Sequence, residues 1–198
     1  MSRLVRFHKP YGVLSQFTSP DDRPTLARFI DVPGVYCAGR LDFDSEGLLL
    51  LTDDGKLQSR IAHPRHKLEK VYLAQVAAER RDLPRTLERL RSGVTLRDGP
   101  SRPTFVELLD AEPKLAVRDP PVAPHRAAAS AWLRVGMASG RNREVRRLLA
   151  AVGHPVLRLV RVQIGPFALG DLKPGEFAIE AVHLPAGQAS SSHLRRRR

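Results

Sequence analysis

Four consecutive leucines, residues 48–51, constrain this chain more than any other feature. The run is too short for a buried helix and is closed by the turn sequence Thr52-Asp53-Asp54-Gly55, so it predicts a buried strand. An acidic loop, Asp42-Phe43-Asp44-Ser45-Glu46-Gly47, leads into it, and a second apolar stretch, residues 34–39, precedes that loop. The carboxylates of the loop are therefore expected at the end of a sheet, held between rigid elements. A chain of this size buries roughly 70% of its unfolded surface, enough for a core without disulfides or a structural metal. Cys37 is the single cysteine, which excludes a disulfide framework within the chain and any cysteine-cluster zinc site. No apolar run approaches the roughly 18 residues of a membrane helix, and the N-terminus lacks a signal-peptide apolar region. A cytoplasmic protein with no membrane partner is expected.

The rest of the chain reads as short elements. Residues 3–7 suit a strand, Lys9-Pro10-Tyr11-Gly12 a turn, residues 24–30 a short helix, and residues 56–62 a brief helix stopped by His63-Pro64. Lys70–Ala77 alternates as a strand, with Lys70 and Tyr72 on one, polar, face. Asp82 can cap a helix carrying Leu83, Leu87 and Leu90 on one face, with Gly93 just past its end. Residues 104–109 and 132–137 read as strands. Between them, residues 111–129 contain four prolines and suggest an irregular surface loop. The clearest helix spans 142–152: Asn142 caps it, Gly153 ends it, and Val145, Leu148, Leu149 and Val152 form its apolar stripe. Val156–Ile164 is a basic strand, residues 177–184 the last strand, and 186–198 a disordered basic tail. Strands outnumber helices and hairpin turns are frequent, so the fold class is α+β with a mostly antiparallel sheet.

Charge narrows the partners. The formal net charge is +12, and the four terminal arginines leave most of it on the body. Between Ser139 and Arg161 stand six arginines and one acid, Glu144. Phosphate polyanions suit such a surface because each neutralised phosphate releases counterions, although a solvated arginine-rich face is the plain alternative.

Several chemistries are open to the acidic loop. Its three acids at alternate positions could chelate Mg²⁺, or one carboxylate could act as nucleophile or base while the others position the loop; a solvated turn is the bland reading. On the 142–152 helix, Arg146 falls on the margin of the buried face, from where it can turn into a cleft towards a carboxylate such as Asp42, or else snorkel to solvent. Arg143 and Arg147 lie nearer the opposite face, available to phosphates. Tyr72 can stack on a base or simply pack across strands. The seven histidines show no zinc-ligand spacing, Cys37 sits in apolar sequence as inert filler, and hydrolase, P-loop and dinucleotide motifs are all missing.

The stretch Gly39-Arg40-Leu41-Asp42-Phe43-Asp44-Ser45-Glu46-Gly47-Leu48-Leu49-Leu50-Leu51-Thr52-Asp53-Asp54-Gly55 closely resembles the signature of bacterial ribosomal RNA pseudouridine synthases. Three more stretches agree: residues 8–14 (HKPYGVL), Lys70-Val71-Tyr72, and residues 139–148 (SGRNREVRRL) followed by Val152-Gly153-His154-Pro155. The resemblance runs from about residue 4 to 180. It implies the pseudouridine synthase fold, a mixed, mainly antiparallel sheet in two lobes flanked by helices with the catalytic cleft between them. It further implies a catalytic domain over residues 1–185 with no separate S4-like RNA-binding module before it. The activity implied is isomerisation of a specific uridine in large-subunit (23S) ribosomal RNA to pseudouridine, by a monomer needing no cofactor and no metal. Matched by motif, Asp42 is the catalytic aspartate, Tyr72 the active-site tyrosine and Arg146 the basic partner of Asp42. Lys9, Arg40, Arg141, Arg143, Arg147, Arg158 and Arg161 are the expected RNA-binding cations. A metal-dependent RNA nuclease or phosphotransferase built on Asp42, Asp44 and Glu46, and a non-catalytic ribosome-assembly protein, are the rivals.

Overall fold

The computed structural model describes residues 2–63 and 68–182. In chain order its elements are β1 (Ser2–Lys9), β2 (Tyr36–Cys37), β3 (Glu46–Thr52), α1 (Gly55–Ala62), β4 (Lys70–Ala77) and α2 (Leu83–Ser92). There follow β5 (Val94–Leu96), β6 (Gly99–Ser101), β7 (Phe105–Leu108), α3 (Pro124–Ala127) and β8 (Ser130–Met137). The last are α4 (Glu144–Ala151), β9 (Val156–Ile164), β10 (Phe167–Ala168) and β11 (Phe177–Val182). The strands expected at 70–77 and 156–164 are found with those bounds, as β4 and β9. The expected helix at 24–30 shrinks to a single 3-10 turn, Leu26–Arg28, and the apolar stretch 34–39 contributes only two paired residues. The hairpin β5–β6 escapes sequence reading because each arm is three residues long, too short for a period to show. The tail at 186–198 and the far end of the last expected strand lie outside the described residues.

One mixed sheet runs β11-β1-β3-β9-β4-β8-β7, with β2 added to β3 and β10 to β9. Every pairing is antiparallel except β3 with β9, which is parallel and only two pairs long, Glu46↔Val160 and Gly47↔Arg161. That pairing is a seam between two half-sheets. It is short because the same edge of β3 is taken at its other end by β2, paired at Tyr36↔Thr52 and Cys37↔Leu51. Gly47 makes the seam possible. Its φ is +101°, and a Cβ there would lie 2.3 Å from the carbonyl oxygen of Arg161. Only a residue without a side chain lets the two backbones approach so closely.

The four leucines of β3 are fully buried and serve both faces of the sheet. Leu49 and Leu51 join Phe7 and Leu26 in the larger apolar cluster, while Leu48 and Leu50 meet Leu57 and Ile61 of α1. Burying each contributes about 1.5–3 kcal/mol, which anchors the strand that carries the acidic loop. Asp54 caps α1, its Oδ1 accepting from the Lys56 and Leu57 amides at 2.7 and 3.1 Å. Asp82 makes no cap hydrogen bond to α2, because its backbone is already helical and continues a 3-10 turn, Arg80–Asp82. The loop at 111–129 is irregular apart from α3, yet it is tied down: Leu115 packs on the smaller cluster and the Ala116 carbonyl accepts from Arg158. Among the described residues no helix is long and apolar enough to cross a membrane.

Candidate active site

The acidic loop enters the seam from β2 and is held by its carbonyls. Five in succession accept hydrogen bonds, each from a different donor residue. Arg40 O accepts from Arg161 Nη1 at 3.3 Å and Leu41 O from the Ser15 hydroxyl at 2.7 Å. Asp42 O accepts from the Ser45 amide at 3.1 Å, Phe43 O from the Gly12 amide at 2.9 Å, and Asp44 O from Arg146 Nη2 at 2.6 Å. A loop so pinned fixes its side chains without their help, which is how a reactive group is held in a preset geometry.

Beside it opens a cleft of ≈ 710 Å³. Tyr72, Met137, Val145 and Leu159 give it an apolar wall; Arg40, Lys70, Arg141, Arg143 and Arg161 give it a basic one; Asp42 faces both. The Asp42 side chain is 30% exposed, and Arg143 Nη1 stands 3.9 Å from its Oδ2. Arg143 itself is clamped on Asp44, with Nη1–Oδ1 at 2.7 Å and Nη2–Oδ2 at 2.8 Å. Burial works against the charged form of Asp44, but the Arg143 hydrogen bonds and the charges of Arg146 and Arg143 outweigh it and hold the carboxyl below the ordinary range. Desolvation pulls the Lys70 ammonium below its usual value, aided by Arg161; its Nζ donates to Leu68 O at 2.9 Å.

Residues 3–151 match the family described as RNA pseudouridylate synthase. The chain belongs to that family. It is 52% identical over 181 residues to the protein named ribosomal large subunit pseudouridine synthase E of Xanthomonas campestris pv. campestris, covering 89% of this chain and 95% of that one. To the like-named protein of Vibrio parahaemolyticus it is 48% identical, over 88% of this chain and 72% of the relative. A crystal structure titled pseudouridylate synthase superposes with a TM-score of 0.73 at 31% identity, over 91% of this chain and 71% of that one.

In this synthase Asp42 and Tyr72 line one cleft, as the motifs imply. Tyr72, however, does not face a polar side. It is 8% exposed and belongs to the larger apolar cluster with Ala74 and Val76, while also lining the cleft. Arg146 is half-buried as its helical phase predicts, but its contacts are with Asp44 and Ser45 rather than with Asp42. Its Nη1 also reaches Val156 O at 3.2 Å, so it ties α4, the loop and β9 together from behind the cleft. Desolvation lowers the Arg146 guanidinium from its ordinary value, and Asp44 opposes that shift.

The helix starts later than expected. Arg143, not Asn142, occupies the cap position, in the left-handed region at φ +47°, and aims its side chain at the loop. Of the seven expected RNA-binding cations, three are turned inward: Lys9, Arg158 and Arg161 are 0%, 7% and 3% exposed. Of these three, Arg161 still lines the cleft. Lys9 Nζ donates to Pro10 O and Val13 O, Arg158 grips Glu46, and Arg161 holds Arg40 O and Leu48 O. Arg147 is paired with Asp98 on the β5–β6 hairpin, and Arg141 binds three carbonyls of that hairpin. Arg40 and Arg143 remain the exposed cations of the cleft wall.

Sequence reasoning missed Glu144, which is buried and accepts from the Ser101 hydroxyl at 2.9 Å, the Ser139 hydroxyl at 2.7 Å and Arg141 Nε at 2.9 Å. The signal was present, since it is the one acid in a run of arginines. The acids of the loop do not converge either: Glu46 lies against Arg158, Asp44 against Arg143, and only Asp42 lines the cleft. Among the described residues no three His, Cys, Asp or Glu side chains group as metal ligands.

Burial pushes the Lys9 ammonium down to about 7 from the ordinary 10.5. Between those values the unfolded chain holds a proton that the folded one has released, so stability rises with pH across that window. Denaturant unfolding at pH 7 and pH 9 should show the gain in the wild type and its loss in Lys9→Met. Equal slopes in both would mean Lys9 stays charged when folded.

Proposed function

We propose that this synthase converts a uridine of large-subunit ribosomal RNA to pseudouridine in the cytoplasm, with Asp42 as the essential carboxylate. The observation that carries the reading is the 52% identity over 181 residues to a protein named large subunit pseudouridine synthase E. The pinned Asp42 loop at the cleft supports it. In the reaction the N1–C1′ bond of the nucleotide breaks, the freed uracil turns, and C5 bonds to C1′; C5 gives up a proton and N1 gains one. Nothing is oxidised and no group is imported.

The target base must leave its stack to reach the cleft, at a cost of a few kcal/mol. Tyr72 offers a ring face to the extruded base, next to Met137 and Leu159, while Arg40 and Arg143 meet flanking phosphates. Asp42 works as an anion, attacking carbon or taking a proton, and Arg143 stands 3.9 Å from it. Mapping pseudouridines in ribosomal RNA from cells with and without the gene tests the assignment. One large-subunit site should vanish in the deletion and return with the purified protein; an unchanged map would sink it.

Arg146 acts through the loop it holds. Displacing a reacting group by about 1 Å costs on the order of a hundredfold in rate. Arg146→Ala is accordingly expected to lower kcat by roughly 10–100-fold while KM changes little, by steady-state kinetics. The opposite split would place this arginine in RNA binding.

A further inference from the structure

Resting on the reading that a uridine of RNA is drawn into this cleft, we propose that Phe43 is a stacking platform for the nucleotide beside that uridine. The neighbouring base lies on the Phe43 ring, and Arg23 receives a phosphate next to it.

A single exposed apolar side chain is ordinary on a protein surface and calls for no role. Phe43 differs in where it stands and how it is held. Tyr36, Phe43, Val117 and Ile179 are the exposed large hydrophobics among the described residues, and of these only Phe43 lines the cleft. It follows Asp42 directly in the chain, and its carbonyl accepts from the Gly12 amide at 2.9 Å. The carbonyls on either side, of Asp42 and Asp44, are held by the Ser45 amide and by Arg146. A fixed backbone therefore presents the ring, and little freedom is lost when a base settles on it.

Phe43 and Tyr72 sit at different depths. Tyr72 is 8% exposed and Phe43 37%, so one ring lies within the cleft and the other at its rim. A base drawn in to Asp42 reaches the inner ring, while its neighbour on the strand, still outside, meets the outer one. Stacking suits that place because every base has a face to offer, whatever the sequence.

Arg23 adds the charge. Its guanidinium carbon lies 5.6 Å from the centre of the Phe43 ring. The segment that carries it folds back on itself, Leu14 N donating to Pro24 O at 2.8 Å and Leu26 N to Gln16 O at 2.9 Å. Arg23 is ion-paired with Asp21 at 2.7 Å, and both side chains are about half exposed. A pair so exposed is weak, and a phosphate can replace the carboxylate. A ring with a cation beside it matches a nucleotide, which is a flat base joined to an anion.

The experiment uses the purified full chain and short RNA carrying the target uridine at the site that pseudouridine mapping identifies. Phe43→Ala is expected to lower kcat/KM by about tenfold, mainly through KM, because stacking one base on an aromatic ring is worth between about fivefold and a hundredfold in binding. Phe43→Tyr and Phe43→Trp should stay within about threefold of wild type. Phe43→Leu keeps apolar bulk without an aromatic face and should resemble Phe43→Ala; full activity in it would make Phe43 a packing residue and overturn the inference. Two further RNAs lack the base on the 5′ or the 3′ side of the target. One of them should cost the wild type about the same tenfold, and Phe43→Ala should lose nothing more on it. Equal losses in wild type and Phe43→Ala on both RNAs, or no loss in either, overturn the platform. Arg23→Gln should make the slope of log affinity against log salt shallower by about one, and an unchanged slope overturns the phosphate contact.

If the wild type forms no pseudouridine in the intact RNA, the reading of the cleft has failed. If it does, and Phe43→Ala matches it, only the platform has.

Discussion

Asp42→Asn is expected to lose pseudouridine formation by about a thousandfold or more while its RNA affinity stays within about threefold. The substitution is nearly isosteric and the loop does not depend on the carboxylate for its shape. The Asp42 main chain is held by Ser45, and its neighbours by Ser15, Gly12 and Arg146. Binding is delivered by the cations of the cleft wall, Arg40 and Arg143 among them, which the change leaves in place. What disappears is the anion. Release of tritium from C5-labelled uridine measures turnover, and filter binding measures affinity. Turnover within about tenfold of wild type would show that another group does the chemistry.

Glu46→Gln is expected to cost about 3–5 kcal/mol of stability, the usual penalty for stranding one partner of a buried ion pair. The Arg158 side chain is 9% exposed and that of Glu46 3%, and two hydrogen bonds of 2.9 and 2.8 Å join them. Glu46 opens β3 at the seam, paired with Val160, so an uncompensated guanidinium there loosens the junction of the two half-sheets. For a chain of this length the loss corresponds to a fall in Tm of about 10 °C. Replacing both residues by methionine should recover most of it, since apolar substitutes avoid desolvating charge altogether. Thermal unfolding decides: a Glu46→Gln variant within about 1 kcal/mol of wild type would mean the seam is held by backbone alone.

Local chemistry alone determined a large part of this molecule. Alternation marked Lys70–Ala77, β-rich composition marked Val156–Ile164, and the leucine run marked β3, because a strand with covered faces leaves its period or its apolarity in the sequence. The motifs around Asp42 and Tyr72 fall on residues that line one cleft. Only the tertiary structure decided which charge meets which. Arg158 finds Glu46 across 112 residues and Arg143 finds Asp44 across 99, and arginines on one helix or strand look alike in a charge count. The deciding element is the two-pair parallel seam, whose register sets Glu46 beside Val160 and Gly47 against Arg161. Once β9 is covered on both faces, Arg158 and Arg161 turn inward, and these two arginines of the basic stretch fasten Glu46 and the acidic loop.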